Sequence, residues 1–312
     1  MRKVVVMPVY EDLEASSKLF LEIARTQGLD TYIVAVDDGS VRQPLDVSAI
    51  RAAALDGVVI KLRRNVGHQR AIAIGLSYVA EHFGDDVVVV AMDSDGEDTP
   101  ESMTELVSAL DSPEVDVVVA SRKSRVESLK FKAFYVVYKM LFSLLSGRRI
   151  SFGNFMAAKM PAVRRLASMQ ELWTHVAAAV LGSKLRVQTC SLDRGPRYAG
   201  RSKMNFVGLA LHGFRALMVF AEDVLVRVGI ACTLVAGLSV CGGVLALLLK
   251  ALGFATPGWF SLAFGILLLV FLQTAGLTLI ILMLSGMIRS GGVLVAGSYR
   301  EFVAEIQYAG RQ

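Results

Sequence analysis

Cysteine is scarce in this 312-residue chain, and the three present, Cys190, Cys232 and Cys241, form no C-x-x-C pair. That excludes a thiolate metal site and a disulfide framework, and suits a reducing compartment. No secretory leader is expected, because Met1-Arg-Lys is followed only by a short apolar run, then Pro8 and acidic residues. Internal repeats and low-complexity tracts are lacking. Charge is absent from residues 228–249 and from residues 259–288. About 20 apolar residues cross a ~30 Å hydrocarbon core as a helix, so each run is long enough to span, the second with some tilt. Buried core helices are usually shorter. At 54% hydrophobic and a mean hydropathy of +0.52, the chain is not an ordinary soluble protein.

The net charge of +5 invites a nucleic-acid reading, but its distribution suits a membrane better. Arg215 and Arg227 precede the first run, Arg289 and Arg300 follow the second, and the loop at 250–258 carries one lysine. The positive-inside rule then predicts a cytoplasmic N-terminal domain and C-terminal tail, with the short loop outside.

The first 120 residues alternate strand and helix. Strands are expected at 3–9, 31–36, 58–62, 87–92 and 115–120, and helices at 13–25, 68–83 and 101–110. Continuous β-branched runs between helices predict an α/β fold with a mainly parallel, Rossmann-like sheet covered on both faces. Such sheets bind ligands at the carboxyl ends of their strands. Pro8-Val-Tyr10-Glu11, residues 37–40, residues 65–69 and residues 93–98 all fall there. Residues 129–147 carry a wide apolar stripe at helical period with lysines beside it; a core helix or a membrane-surface helix would both fit.

The stretch Asp93-Ser-Asp95-Gly-Glu97-Asp98-Thr-Pro-Glu101 holds five carboxylates directly after an apolar strand. Two like charges ~4 Å apart cost on the order of 4 kcal/mol at an effective dielectric of 20. Asp93 and Asp95 alternate along extended chain and point the same way, so they need a counter-ion. A hard cation with oxygen ligands, Mg²⁺ or Mn²⁺, would serve, completed by substrate phosphates. An EF-hand is excluded, since the glycine sits at the fourth position and the bidentate glutamate is missing. A solvated acidic loop stays open on these residues alone. The basic stretch from Asp193 to Lys203 holds Arg194, Arg197, Arg201 and Lys203. It reads as a solvated or headgroup-binding loop, or as a clamp whose guanidiniums fork onto phosphate. A single aromatic, Tyr198, interleaves with these charges, short of the stacking series that nucleic acid asks for, which disfavours nucleic acid.

Pro8-Val-Tyr-Glu11, Asp37-Asp38-Gly-Ser and Asp93-Ser-Asp95 together resemble a family 2 glycosyltransferase with the nucleotide-sugar-binding GT-A fold. The order Arg64-Asn65-Val66-Gly67, then the acidic stretch, then Arg197-x-x-Gly200-x-Ser202-Lys203, then two apolar helices, resembles polyisoprenyl-phosphate glycosyltransferases. These include dolichol-phosphate mannose synthase-like enzymes and their undecaprenyl-phosphate relatives. The resemblance implies inverting transfer of a sugar from a nucleotide diphosphate, with uridine the expected base, to a membrane polyprenyl phosphate. It implies nucleotide contacts from Pro8, Tyr10, Glu11, Asp37, Asp38, Asn65, Gly67 and Asp93. It implies a Mg²⁺ or Mn²⁺ ion on Asp95 and Glu97, where relatives usually have glutamine in place of Glu97. Phosphate and acceptor contacts fall to Arg194, Arg197, Ser202 and Lys203, and the reaction itself to Asp93, Asp95, Asn154, Arg197 and Lys203.

At Phe152-Gly-Asn154-Phe-Met156 relatives often carry an aspartate proposed as a base. Asn154 cannot take a proton. A phosphate monoester, with a second pKa of about 6, is mostly dianionic at pH 7 and needs no base. Asn154 then positions acceptor or sugar. His175 is a further polar candidate, structural or catalytic. No Gln-x-x-Arg-Trp motif occurs, which argues against chain polymerisation. Alternative readings are transfer to another membrane lipid, or a silent scaffold that keeps the nucleotide fold.

The expected division is a cytoplasmic catalytic domain over 1–204, a juxtamembrane helix at 205–223, spans at 224–250 and 259–288, and a cytoplasmic tail at 289–312. The cytoplasmic (inner) membrane is the expected location. Two helices with little polar lining make no channel, so a homo-oligomer or a separate flippase is expected to move product. Gln273 is a candidate helix–helix contact.

Overall fold

The run Val4-Val5-Val6 shows no in–out alternation because β1 (Arg2–Val9) is buried on both faces. Val4 and Val6 join one core, under α3 (His68–His82); Val5, Met7 and Val9 join the other, under α1 (Leu13–Gln27). This computed structural model describes residues 2–122, 129–150, 152–199, 206–254, 258–289 and 298–310.

After β1 and α1 come β2 (Tyr32–Asp37), α2 (Ser48–Ala52) and β3 (Asp56–Leu62), then α3, β4 (Val87–Ala91), α4 (Pro100–Ala109) and β5 (Val117–Arg122). The chain continues through α5 (Leu129–Ser146), β6 (Met156–Lys159), α6 (Met160–Ala167), α7 (Val176–Gly182), β7 (Val187–Leu192) and α8 (Phe206–Met218). It ends with α9 (Ala221–Ala251), α10 (Trp259–Arg289) and β8 (Val303–Ala309). The eight strands form one sheet in the order β7-β5-β6-β4-β1-β2-β3-β8. β1 pairs in parallel with both β2 and β4, so the strand order reverses between β1 and β4. That is the topological switch point, where open α/β sheets form their ligand crevice.

The expected strands and helices of the first 120 residues are all present, within two residues at most ends. Two strands run against the rest. β6 is antiparallel to β4 and β5. β8, which follows the apolar helices in a segment read from sequence as a tail, adds antiparallel to β3 and covers that edge. Tyr299, just ahead of β8, is buried and donates its hydroxyl to Glu81 of α3 at 2.5 Å.

The chain divides into two compact units: 1–135, 150–219 and 293–312 in one, 136–149 and 220–292 in the other. Helix α8, expected from sequence as a juxtamembrane element, and the C-terminal strand fall in the sheet unit, unlike the linear division expected from sequence. In the second unit, α9 and α10 are long and apolar enough to cross a membrane, with mean hydropathies of 2.3 and 2.5. They pack antiparallel: Gly242 lies against Leu267, Gly243 against Phe264 and Gly229 against Ile281. Small residues let such helices approach closely. Gln273 is exposed on α10. The second half of α5 docks on the start of α9, where Phe142 meets Phe220 edge-on and Arg148 stacks over Phe220. Val136, Met140, Leu141 and Leu144 of α5 are exposed.

Candidate active site

Strand β4 ends at Ala91, and the chain then makes the acidic loop before Thr99 caps α4 by accepting the Ser102 N–H. Pro100 occupies the first turn of α4, so the loop cannot slide into the helix. The loop is largely buried: Asp95 and Asp98 are 9% and 5% exposed. Asp98 accepts the Asp93 N–H at 3.1 Å, and Asp95 accepts the Glu97 N–H at 2.9 Å.

The counter-ions are the arginines of the basic stretch, about one hundred residues away in sequence. Arg194 pairs with Glu97 and lies 3.8 Å from Asp93 and 3.7 Å from Asp98. Arg197 reaches Asp95 at 2.5 Å, Glu97 at 3.6 Å and Asp12 at 3.9 Å. Two main-chain bonds join the segments: Gly195 N–H to Glu97 O at 3.0 Å, and Tyr198 N–H to Asp95 O at 2.9 Å. Tyr198 lies on Gly96, whose φ of +86° and lack of a side chain are both needed, since a Cβ there would sit 2.5 Å from the ring. The described part of the expected clamp is therefore tied to the acidic loop. Ser202 and Lys203 lie outside the described residues.

The first two motifs build a frame of loops. Glu11, at φ +48°, accepts the N–H groups of Val41, Arg42 and Gln43. Asp37 accepts those of Ser40 and Leu45, each at 3.0 Å. Asp38 accepts Val66 N–H at 2.7 Å and Gly67 N–H at 2.9 Å. The helix start expected to favour an anionic ligand is thus already faced by a protein carboxylate. Gly39 has φ +71°, and a Cβ there would lie 2.6 Å from the backbone of Arg64 and Asn65, so only glycine lets these loops touch. Pro8 is buried within β1, whereas Tyr10 at its end is 43% exposed and Asn65 is exposed. Glu11, Asp37 and Asp38 each carry lone pairs beyond those used. Their observed work is nevertheless to fix the loops, which sequence could not distinguish from direct nucleotide contact.

Burial raises the Asp38 carboxyl to about 6, opposed by the two backbone N–H donors. Its folded pKa lies above the unfolded value near 3.9, so this group's contribution favours the fold below pH ~4 and is lost as pH rises through ~6. Asp38→Asn removes that dependence but turns an amide N–H₂ toward one of the donors. Comparing melting temperatures of the variant and the parent, the deficit of Asp38→Asn is expected to be larger at pH 4.5 than at pH 7.5. A deficit independent of pH would rule out this titration.

Asn154 reaches the same sheet edge, because the β4–β6 register Val90↔Ala157, Ala91↔Met156 runs on toward Asp93 and Asn154. Gln69 donates to Asn154 Oδ1 at 3.1 Å and to His68 at 2.8 Å, and accepts Val176 N–H at 2.6 Å. His175 and His212 meet at 3.0 Å. Sequence reading singled out His175 and placed 65–69 at the carboxyl edge without giving His68 or Gln69 a role, and it missed His212, Asp12 and Tyr198. The adjacency of His68-Gln69 to Gly67 was the available signal; His212 on an apolar helix gave none.

Arg197 also tests whether a metal ion suits this loop. Its guanidinium bridges Asp95 and Glu97, so one cationic group already sits between two hard carboxylate ligands. Among the described residues no cluster of three or more His, Cys, Asp or Glu side chains is arranged to hold a metal. Mg²⁺ commonly takes only one or two carboxylates besides water and phosphate, so the donor set fits.

A parallel-centred sheet with acidic and loop-shaping motifs at its switch point defines a nucleotide-sugar-binding GT-A type of fold. Residues 4–173 match the family model Glycosyl transferase family 2, and the chain belongs to that family. The undecaprenyl-phosphate 4-deoxy-4-formamido-L-arabinose transferases of Salmonella paratyphi B and Salmonella newport are each 26% identical over 212 residues, 66% of this chain. The aligned part spans 63% of those relatives' length. Among solved structures, a mycobacterial protein aligns at a TM-score of 0.50 with 17% identity, covering 71% of this chain and 74% of that one.

Proposed function

We propose that this protein is a metal-dependent, inverting glycosyltransferase that moves a sugar from a nucleotide diphosphate, with uridine the favoured base, to a polyprenyl phosphate such as undecaprenyl phosphate. The observation that carries the reading is the acidic loop at the switch point, neutralised by two arginines, whose guanidinium forks are suited to phosphate. The relatives' acceptor and the two apolar helices support a membrane lipid phosphate.

Asp95 and Glu97 would hold Mg²⁺ or Mn²⁺, which supplies Lewis-acid neutralisation of the leaving diphosphate. Tyr10 packs on the base, and the loops fixed by Glu11, Asp37 and Asp38 receive the nucleoside, with Asn65 and Gly67 at the phosphate side. Arg194 and Arg197 turn from the carboxylates to the phosphates, joined by Ser202 and Lys203. The acceptor's phosphate oxygen bonds to the anomeric carbon as the bond to the diphosphate breaks, and nucleoside diphosphate leaves. No proton need be removed from a dianionic acceptor, so Asn154 suffices as a hydrogen-bonding group.

The arginine bias around the α9–α10 pair supports a cytoplasmic sheet unit. A homo-oligomer or separate flippase would move the product onward. The test is mass spectrometry of lipids after incubating purified protein with undecaprenyl phosphate, Mn²⁺ and a panel of nucleotide sugars. A prenyl–phosphate–sugar product is expected, and its formation should stop with chelator. A glycolipid without the phosphate linkage, or no product with any donor, would overturn the reading.

A further inference from the structure

We propose that His212, Arg215 and Asn154 form the binding site for the acceptor's phosphate monoester, held as hydrogen-bond donors by a network through His68, Gln69 and His175. This rests on the lipid-phosphate reading above, and it assigns the acceptor headgroup to residues outside the arginine loop.

Backbone amides fix the polarity of the network. Val176 N–H donates to Gln69 Oε1, so the Gln69 amide nitrogen faces the other way. One of its hydrogens goes to Asn154 Oδ1 and the other to His68 Nε2. Asn154 therefore turns its own N–H₂ away from Gln69, and neutral His68 carries its proton on Nδ1. A second chain starts at Ala178 N–H, which donates to His175 Nδ1 at 3.2 Å. His175 must then hold its proton on Nε2 and donate it to His212 Nε2 at 3.0 Å. That leaves the His212 proton on Nδ1. This atom is buried and has no hydrogen-bond partner. A buried orphan donor is costly, and native structures reserve such groups for a ligand or an ordered water.

The three rings form one cluster: His175 and His212 have centroids 4.3 Å apart, and His68 stacks with His212 at 5.5 Å. Burial, and the charges of neighbouring His212 and His68, hold His175 down to about 3; burial, His68 and Arg215 hold His212 down to about 4. Burial and Arg215 lower His68 as well. All three are neutral at pH 7, as the hydrogen-bond polarity requires. Arg215 acts on all three rings yet is exposed and has no ion-pair partner among the described residues.

A neutral N–H donor, an amide N–H₂ and a guanidinium suit a ligand that only accepts, and a phosphate dianion is such a ligand. The acceptor's source is indicated by α8 itself. Leu211, Phe214 and Met218 of that helix are 53%, 65% and 66% exposed, an apolar outer face beside the half-buried His212. A helix of this kind lies in the headgroup layer of a bilayer, which brings His212 and Arg215 to the depth of a lipid phosphate.

The experiment uses the full chain in nanodiscs with ¹⁵N-labelled histidine rings and no nucleotide sugar. Farnesyl phosphate is expected to shift the His212 Nδ1 resonance, farnesol to leave it unmoved, and inorganic phosphate to need far higher concentration. Inorganic phosphate saturating as readily as farnesyl phosphate would assign the site to free phosphate and overturn the acceptor role. An unmoved resonance would overturn the site outright. Kinetically, His212→Phe should raise KM for undecaprenyl phosphate about tenfold with the nucleotide-sugar KM unchanged, and His212→Asn, which keeps an N–H near Nδ1, should recover most of it. Equal changes in both KM values would also overturn it. If no sugar transfer occurs but farnesyl phosphate still shifts His212, the reaction proposed above fails and the phosphate site stands.

Discussion

Asp95→Asn is expected to lower sugar transfer by about a thousandfold, equivalent to ~4 kcal/mol of transition-state stabilisation. Asparagine keeps the shape of the loop, because its Oδ1 can still accept the Glu97 N–H now held by Asp95. It removes the charge that Arg197 meets at 2.5 Å and that a divalent ion would need. Initial rates at saturating donor and Mn²⁺ measure the loss. Electron paramagnetic resonance of free Mn²⁺ measures the accompanying fall in metal affinity. A variant that transfers sugar within tenfold of the parent would remove Asp95 from the metal site.

Arg197→Ala is expected to move metal affinity and turnover in opposite directions. In this structure Arg197 neutralises Asp95, Glu97 and Asp12, so it competes with a metal for the same oxygens. Without it the carboxylates face one another, and like charges ~4 Å apart repel by on the order of 4 kcal/mol. Mn²⁺ should then bind about tenfold tighter. Turnover should nevertheless fall about a hundredfold, because a charged fork onto the transferring phosphates is lost. Affinity and rate falling together would mean that Arg197 only supports the loop. Arg197→Lys is informative beside it, since a lysine restores the charge without the planar fork.

Both predictions depend on a contact that the sequence presented as two separate features. The acidic stretch after β4 was legible as a counter-ion problem, and the basic stretch at 193–203 as a phosphate clamp. Nothing in their spacing said that one already answers the other in the free protein. The same holds for Asp37 and Asp38. Their position at a strand end was readable, but their carboxylates turn out to hold Ser40, Leu45, Val66 and Gly67 in place. A carboxylate looks the same in sequence whether it meets a ribose or a backbone N–H. Asn154 read as a departure from a family pattern; that it is the end of a hydrogen-bonded chain through Gln69 needed the fold.

The sequence by itself determined the alternation of buried strands and helices, the two membrane-length apolar runs and the carboxyl-edge location of the polar motifs. These follow from local periodicity and from the length of uncharged segments, which any short window reveals. Tertiary structure alone decided that β8 returns to pair with β3, that Arg194 and Arg197 sit in the acidic loop, and that His68, His175 and His212 share one cluster. Those partners lie from tens of residues to more than two hundred apart in the chain. Their meeting is set by strand order and by how helices cover the sheet, which no local pattern of residues encodes.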